Sequence, residues 1–176
     1  SGGIPGAPAG PGARTHYAFD TAGDGGTVRV IVIDNSGGSL AASDPWQNPA
    51  EAQRPWLAAV LDDAAAKGVP AVVMGSRDLN PRARPALNVA QDGDEIAQLL
   101  VDHGASAYLF DRPEENRAGQ VPAGASTGIP EFGSGTLGYR SSVENAASLG
   151  LPDALFGDSG FLLLEALGLH QRNQFT

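Results

Sequence analysis

The 176-residue chain contains no cysteine, one lysine and three histidines, and aromatic residues make up only 6% of it. The absence of cysteine excludes disulfides, zinc–thiolate sites and cysteine nucleophiles. Eleven basic residues stand against 20 acidic ones, which gives a formal net charge of −9. This balance argues against nucleic acid and anionic membrane surfaces as partners, because both bind clustered Lys and Arg.

Long apolar runs are also missing. No segment approaches the roughly 20 apolar residues that cross a bilayer, so we expect no membrane insertion. The first twelve residues have neither the basic region nor the apolar region of a secretory signal peptide, and the compartment stays open, with export and the cell surface as alternatives. Ten of the 11 basic residues are Arg, a bias typical of GC-rich bacterial genomes.

Apolar residues make up 41% of the chain, which is enough for a hydrophobic core. The chain also contains 24 Gly and 13 Pro. This composition predicts a globular protein with long loops. Residues 1–14 are almost entirely Gly, Pro and Ala and are predicted to form a flexible lead-in. Residues 15–167 carry the periodic segments and are predicted to form one domain, followed by a tail over 168–176.

The periodic segments predict alternating strands and helices. Thr15–Asp20 and Thr27–Asp34 alternate or are β-branched and predict a hairpin. The other predicted elements are a helix over 55–67, a strand over 69–75, a helix over 92–103, a strand over 107–110, one or two short strands within 128–139, and a last strand over 161–166, for which a helix is the alternative. This order predicts an α/β fold with a mixed, partly parallel sheet and flanking helices.

Six segments, in this order, resemble the calcineurin-like metallophosphoesterase family. They are the hairpin HYAFD…TVRVIVIDNS, the helix with Gln53, Trp56 and Leu57, VVMGSRDL over 72–79, YLFDRPE over 108–114, FGSGTLG over 132–138, and FLLLEA over 161–166. The resemblance implies half of a two-sheet αββα sandwich, the C-terminal half. It also implies metal-dependent hydrolysis of phosphate esters as the family activity.

The chain departs from the family at the metal ligands. The family's metal-binding His falls at Ser76, and its Gly-His-x-His pair falls at Arg112 and Glu114. Guanidinium has no acceptor and cannot ligate a cation, and one carboxylate beside an arginine does not hold the two metal ions of the family reaction. The family's earlier metal motifs precede the hairpin and have no counterpart in this sequence. We therefore predict no metal and no other cofactor.

Polar residues follow two strands that are predicted to be parallel, and open α/β sheets bind ligands at the carboxyl ends of such strands. The candidates for a degenerate or anion-binding site are Ser76, Arg77, Asp78, Asp111, Arg112, Glu114 and Asn116. Ion pairs of Arg77 or Arg112 with Asp111 or Glu114 are one interpretation. A solvated loop whose surface salt bridges contribute little is the other.

No catalytic residue is predicted. The three histidines, His16, His103 and His170, are each expected to have structural roles. Neither Ser76 nor Ser159 lies in a Gly-x-Ser-x-Gly elbow, and the glycines of 133–138 lack the Lys-Ser/Thr of a phosphate-binding loop.

The sequence therefore predicts a catalytically degenerate metallophosphoesterase-like domain, with a binding or structural role in a larger bacterial protein. Two alternatives stay open. One is the C-terminal part of an active phosphoesterase whose metal site lies on N-terminal sequence absent here; the other is a purely structural spacer. Half of a sandwich exposes one apolar sheet face, which marks an interface. We expect a missing N-terminal half or a second copy of the chain to cover it, and the sequence does not identify a small-molecule ligand.

Overall fold

The computed structural model describes residues 16–23, 26–40, 53–80, 90–111, 115–121, 128–134 and 154–156. Within them the elements are β1 (Tyr17–Gly23), β2 (Gly26–Val32), α1 (Gln53–Ala66), β3 (Ala71–Gly75), α2 (Gly93–Asp102), β4 (Ala107–Asp111), β5 (Glu115–Val121), β6 (Ile129–Ser134) and β7 (Ala154–Phe156). The strands form a seven-stranded sheet in the order β1-β2-β3-β4-β6-β5-β7. The protein has an α/β fold, a partial α/β sandwich with a mixed sheet, as the sequence predicted.

Parallel strands make up the centre of the sheet, and antiparallel strands make up its edges. β2, β3, β4 and β6 are parallel neighbours, whereas β1, β5 and β7 run antiparallel to the strand beside them. β1 pairs with β2 from Tyr17↔Val32 to Gly23↔Gly26, which confirms the predicted hairpin. Gly26 has a φ of 119°, a conformation that favours glycine because a side chain would be strained there.

Both helices lie on one face of the sheet. α1 joins β2 to β3 and α2 joins β3 to β4, and these strands are neighbours in that order. Two right-handed crossovers in the same direction place both helices on the same side, and α1 indeed packs against α2. No helix in the described ranges has the length and apolar character needed to span a bilayer.

The main core lies between the two helices and the sheet. Its members are buried apolar side chains of both layers, chiefly Ile31, Val73 and Tyr108 from the strands and Leu57, Leu61, Ile96 and Leu100 from the helices. Truncating one of these leucines to alanine typically costs about 2–5 kcal/mol, because a cavity remains. The spacing of the helical members is the one that predicted both helices.

The opposite side of the sheet has no helix of the described residues on it. Alternation along the paired strands places a set of apolar side chains there, which we call the open face: Tyr17, Phe19, Val30, Val32, Val72, Met74, Ala107, Leu109 and Phe132. Tyr17, Phe19 and Met74 are 45%, 43% and 40% exposed. Val72, Ala107 and Phe132 on the same face are buried, so the exposed part of this face is limited to Tyr17, Phe19 and Met74 among its large apolar side chains.

The chain after β4 differs from its predicted loop-rich character. β5 and the edge strand β7 were not predicted from the sequence, and β6 lies within the predicted range 128–139. β5 reads ENRAGQV and lacks apolar alternation, so its strand conformation depends on pairing with β6 and β7. The predicted strand over 161–166, the lead-in over 1–14 and the tail over 168–176 lie outside the described residues.

Candidate functional site

The polar residues of interest lie where the parallel strands end, an edge of the sheet that we call the carboxyl edge. Asn35 follows β2, Ser76 and Arg77 follow β3, and Asp111 ends β4. Because these strands are parallel and adjacent, residues distant in sequence meet at this edge. The sequence predicted this convergence for the residues after β3 and β4, but it missed the contribution of β2.

Asn35 is the centre of the hydrogen bonds at the carboxyl edge. Its side chain is buried, and its Oδ1 accepts from Ser76 N at 2.8 Å, Ser76 Oγ at 3.1 Å and Arg77 N at 3.2 Å. Its Nδ2 donates to the Tyr108 hydroxyl at 3.0 Å. One amide therefore joins the ends of β2 and β3 to β4.

Tyr108 completes this arrangement from β4. Its hydroxyl donates to the Arg77 carbonyl at 2.5 Å. Burial raises the pKa of the phenol far above its usual range, and the hydrogen bond from Asn35 offsets only part of that shift. The phenol is therefore a neutral donor at ordinary pH. A buried tyrosine hydroxyl requires a partner, which is the signal that could have drawn attention to Tyr108 in the sequence.

Gly75, the last residue of β3, leaves the space that these side chains occupy. A Cβ at this position would lie 2.9 Å from Asn35 Oδ1, and closer still to the Tyr108 hydroxyl. Contacts this short are essentially never seen for a real Cβ. We call Asn35, Gly75, Ser76, Arg77 and Tyr108 the Asn35 cluster.

The guanidinium of Arg77 is directed to the turn after β2. Its Nε and Nη2 donate to the Ser36 carbonyl at 3.2 and 2.6 Å. Ser36 itself donates through N and Oγ to Asp34 Oδ1 at 3.2 and 2.5 Å. Arg77 and Asp111 are both described, and no ion pair joins them. The Arg77–Asp111 pair that the sequence suggested is therefore absent.

Asp78 lies inside the protein instead of in a cleft at the carboxyl edge. Its side chain is fully buried, and Oδ1 accepts from Asn80 N at 2.7 Å. Glu131 on β6, also fully buried, accepts from Leu79 N through Oε1 at 3.0 Å. The sequence analysis missed Glu131, because a glutamate in a short strand gives no signal of burial.

Two of the remaining candidates, Asp111 and Asn116, are not brought to the Asn35 cluster. Asp111 is exposed, and strand alternation places it on the opposite face of the sheet from Tyr108. Asn116 lies in β5, which is separated from β4 by β6. Arg112 and Glu114 lie outside the described residues. Of the seven candidates, the structure therefore joins Ser76 and Arg77, buries Asp78 where its charge helps to raise the pKa of Tyr108, and places Asp111 and Asn116 elsewhere.

The Asn35 cluster does not fit the two metal ions that the family resemblance implies. Oδ1 of Asn35 already accepts three hydrogen bonds, and Ser76 uses its hydroxyl as one of the donors. The adjacent Arg77 brings a permanent cation, which repels metal ions. In the described part of the chain no three His, Asp or Glu residues are grouped so that they could hold a metal ion.

Two of the histidines lie in structural contacts. The buried ring of His16 packs edge-on against Trp56, with 4.7 Å between ring centroids. His103 Nδ1 lies 2.7 Å from Asp62 Oδ1 and joins the end of α2 to α1. His170 and Ser159 lie outside the described residues.

A second polar cluster holds the β1–β2 hairpin to α1. The fully buried guanidinium of Arg29 donates to Asp20 at 2.8 and 3.1 Å, to Asp63 at 2.6 Å and to the Val60 carbonyl at 3.2 Å. The hydrogen bond from Arg29 lowers the pKa of Asp20. Hydrogen bonds from Lys67 and then Arg29 lower the pKa of Asp63. A buried cation with two carboxylate partners is a structural element here.

A third polar contact orders the turn that follows the Asn35 cluster. Asp92 Oδ2 accepts from Leu40 N at 2.8 Å, from Ser39 Oγ at 2.9 Å and from Arg54 Nη2 at 2.5 Å. Gln53 Oε1 accepts from Asp34 N, and its Nε2 donates to the Asp34 carbonyl, both at 2.7 Å. The start of α1 and the start of α2 thus both fix the segment over 34–40 that carries Asn35.

Comparisons with known proteins add little to this geometry. No model of a protein family matches the chain, and no curated protein matches it. Among solved structures, the chain is similar to one described as "GAP50 the anchor in the inner membrane complex of Plasmodium", with a TM-score of 0.46 and 12% sequence identity. That match covers 80% of this chain and 42% of the other, so the chain spans less than half the length of the solved structure.

Proposed function

We propose that this chain is a catalytically degenerate, metallophosphoesterase-like domain that has a binding or structural role in a larger protein. The observation that carries the proposal is the closed set of hydrogen bonds in the Asn35 cluster. Where the resemblance places a metal-binding His, the chain has Ser76, whose hydroxyl and amide both donate to Asn35. Groups that satisfy one another in this way stabilise the sheet edge and leave no activated nucleophile or base.

The electrostatics of the carboxyl edge support the same proposal. A phosphoesterase of this kind needs metal ions to generate hydroxide and to neutralise charge in the transition state. Here the neutral phenol of Tyr108 and the amide of Asn35 face each other at 3.0 Å. Arg77, a cation of the Asn35 cluster that could stabilise an anion, donates to a backbone carbonyl of the turn after β2. This set of groups joins the carboxyl ends of β2 and β3 to β4.

The second part of the proposal concerns what the domain binds. The open face offers three exposed apolar side chains, Met74 on a parallel strand and Tyr17 and Phe19 on the antiparallel strand β1. We propose that a protein surface covers it, either a preceding segment of a longer chain or a second copy. A spacer without partners would leave these three side chains in contact with water.

The test of the catalytic part is metal content together with phosphatase activity. Protein purified without chelator should contain far less than one equivalent of Fe, Mn or Zn per chain. It should not hydrolyse p-nitrophenyl phosphate above the rate of buffer with Mn²⁺, Fe²⁺ or Zn²⁺ added. Ser76→His, which restores an imidazole at one family position, should not change either result, because one imidazole does not hold two metal ions.

Two equivalents of metal, or hydrolysis that Ser76→Ala abolishes, would contradict the proposal. Hydrolysis seen only in a polypeptide extended before Ser1 would favour the alternative in which this domain is part of an active enzyme. Asn35→Ala serves as a structural control, since it should lower stability without revealing or removing any activity.

A further inference from the structure

We draw no further inference here: the strongest candidate, the exposed corner of the open face that Tyr17, Phe19 and Met74 form at the β1 end of the sheet, carries nothing, because Val72, Ala107 and Phe132 on the same face are buried and nothing in the described residues shows what covers the corner.

Discussion

Asn35 and Tyr108 are 73 positions apart in the chain and are joined by a buried hydrogen bond of 3.0 Å between Nδ2 and the phenol oxygen. The phenol in turn donates to the Arg77 carbonyl at 2.5 Å. The segments that follow β2 and β3 are thereby connected to β4, the next strand of the sheet order. In an α/β enzyme this edge would carry the reacting groups. Here the polar atoms of Asn35, Ser76 and Tyr108 form hydrogen bonds within the protein.

Tyr108→Phe should destabilise the protein by about 1–3 kcal/mol, because the buried amide of Asn35 and the Arg77 carbonyl both lose a hydrogen-bond partner. Tyr17→Phe is the matched control. It removes a phenol oxygen from a 45% exposed side chain and should change stability by less than about 0.5 kcal/mol. Urea denaturation at 2 µM protein measures both. Equal midpoints for the two variants would show that the Asn35–Tyr108 hydrogen bond contributes nothing.

Gly75→Ala should cost about 1–3 kcal/mol, because the added methyl group overpacks the Asn35 cluster. A Cβ there would lie 2.9 Å from Asn35 Oδ1 and nearer to the Tyr108 hydroxyl. Gly23→Ala is the control, since nothing lies within 4 Å of its Cβ position, and it should be neutral within about 0.5 kcal/mol.

The double variant Gly75→Ala/Tyr108→Phe tests the cause of that cost. Because the phenol oxygen is the nearest obstacle, the two changes should be less than additive by at least about 0.5 kcal/mol. Strict additivity of the denaturation free energies would mean that the methyl group is accommodated elsewhere.

Arg29→Ala should lower the free energy of unfolding by about 2–4 kcal/mol, since it leaves a cavity and removes the cation between two carboxylates. Arg29→Met should cost less, because it keeps most of the volume and because Asp20 and Asp63, 34% and 24% exposed, retain access to water. Lys67→Met removes only the exposed i,i+4 partner of Asp63 and should cost less than about 0.5 kcal/mol. A larger loss for Met than for Ala would contradict the structural role of Arg29.

The same cluster makes stability depend on pH in the acid range. The folded-state pKa values of Asp20 and Asp63 lie below the ordinary value of 3.8. Their stabilising contribution is therefore complete above that value and is lost as the pH falls through the lower folded-state pKa. Urea midpoints measured between pH 6 and pH 2.5 should fall for the native chain, and Asp20→Asn should show a shallower fall. Parallel pH profiles would show that Asp20 is not linked to folding.

The predictions from sequence succeeded where a segment carries its own signal. The helix over 55–67, the helix over 92–103 and the hairpin all have apolar positions at the period of their element, and the structure confirms them with boundaries shifted by one to three residues. β5 has no such period, so the sequence analysis did not predict a strand there. A strand of this kind is decided by the neighbour that pairs with it, in this case β6.

The amino-acid sequence by itself determined the α/β order, the common face of the two helices and the edge at which polar residues converge, because local periodicity and the handedness of crossovers suffice for these. Only the tertiary structure decided that β6 lies between β4 and β5, that Asp78 and Glu131 are buried, and that Asn35 and Tyr108 meet. These features depend on hydrogen bonds and packing between side chains that are far apart in the sequence. Such a requirement is set by burial in three dimensions, and no local pattern of residues encodes it.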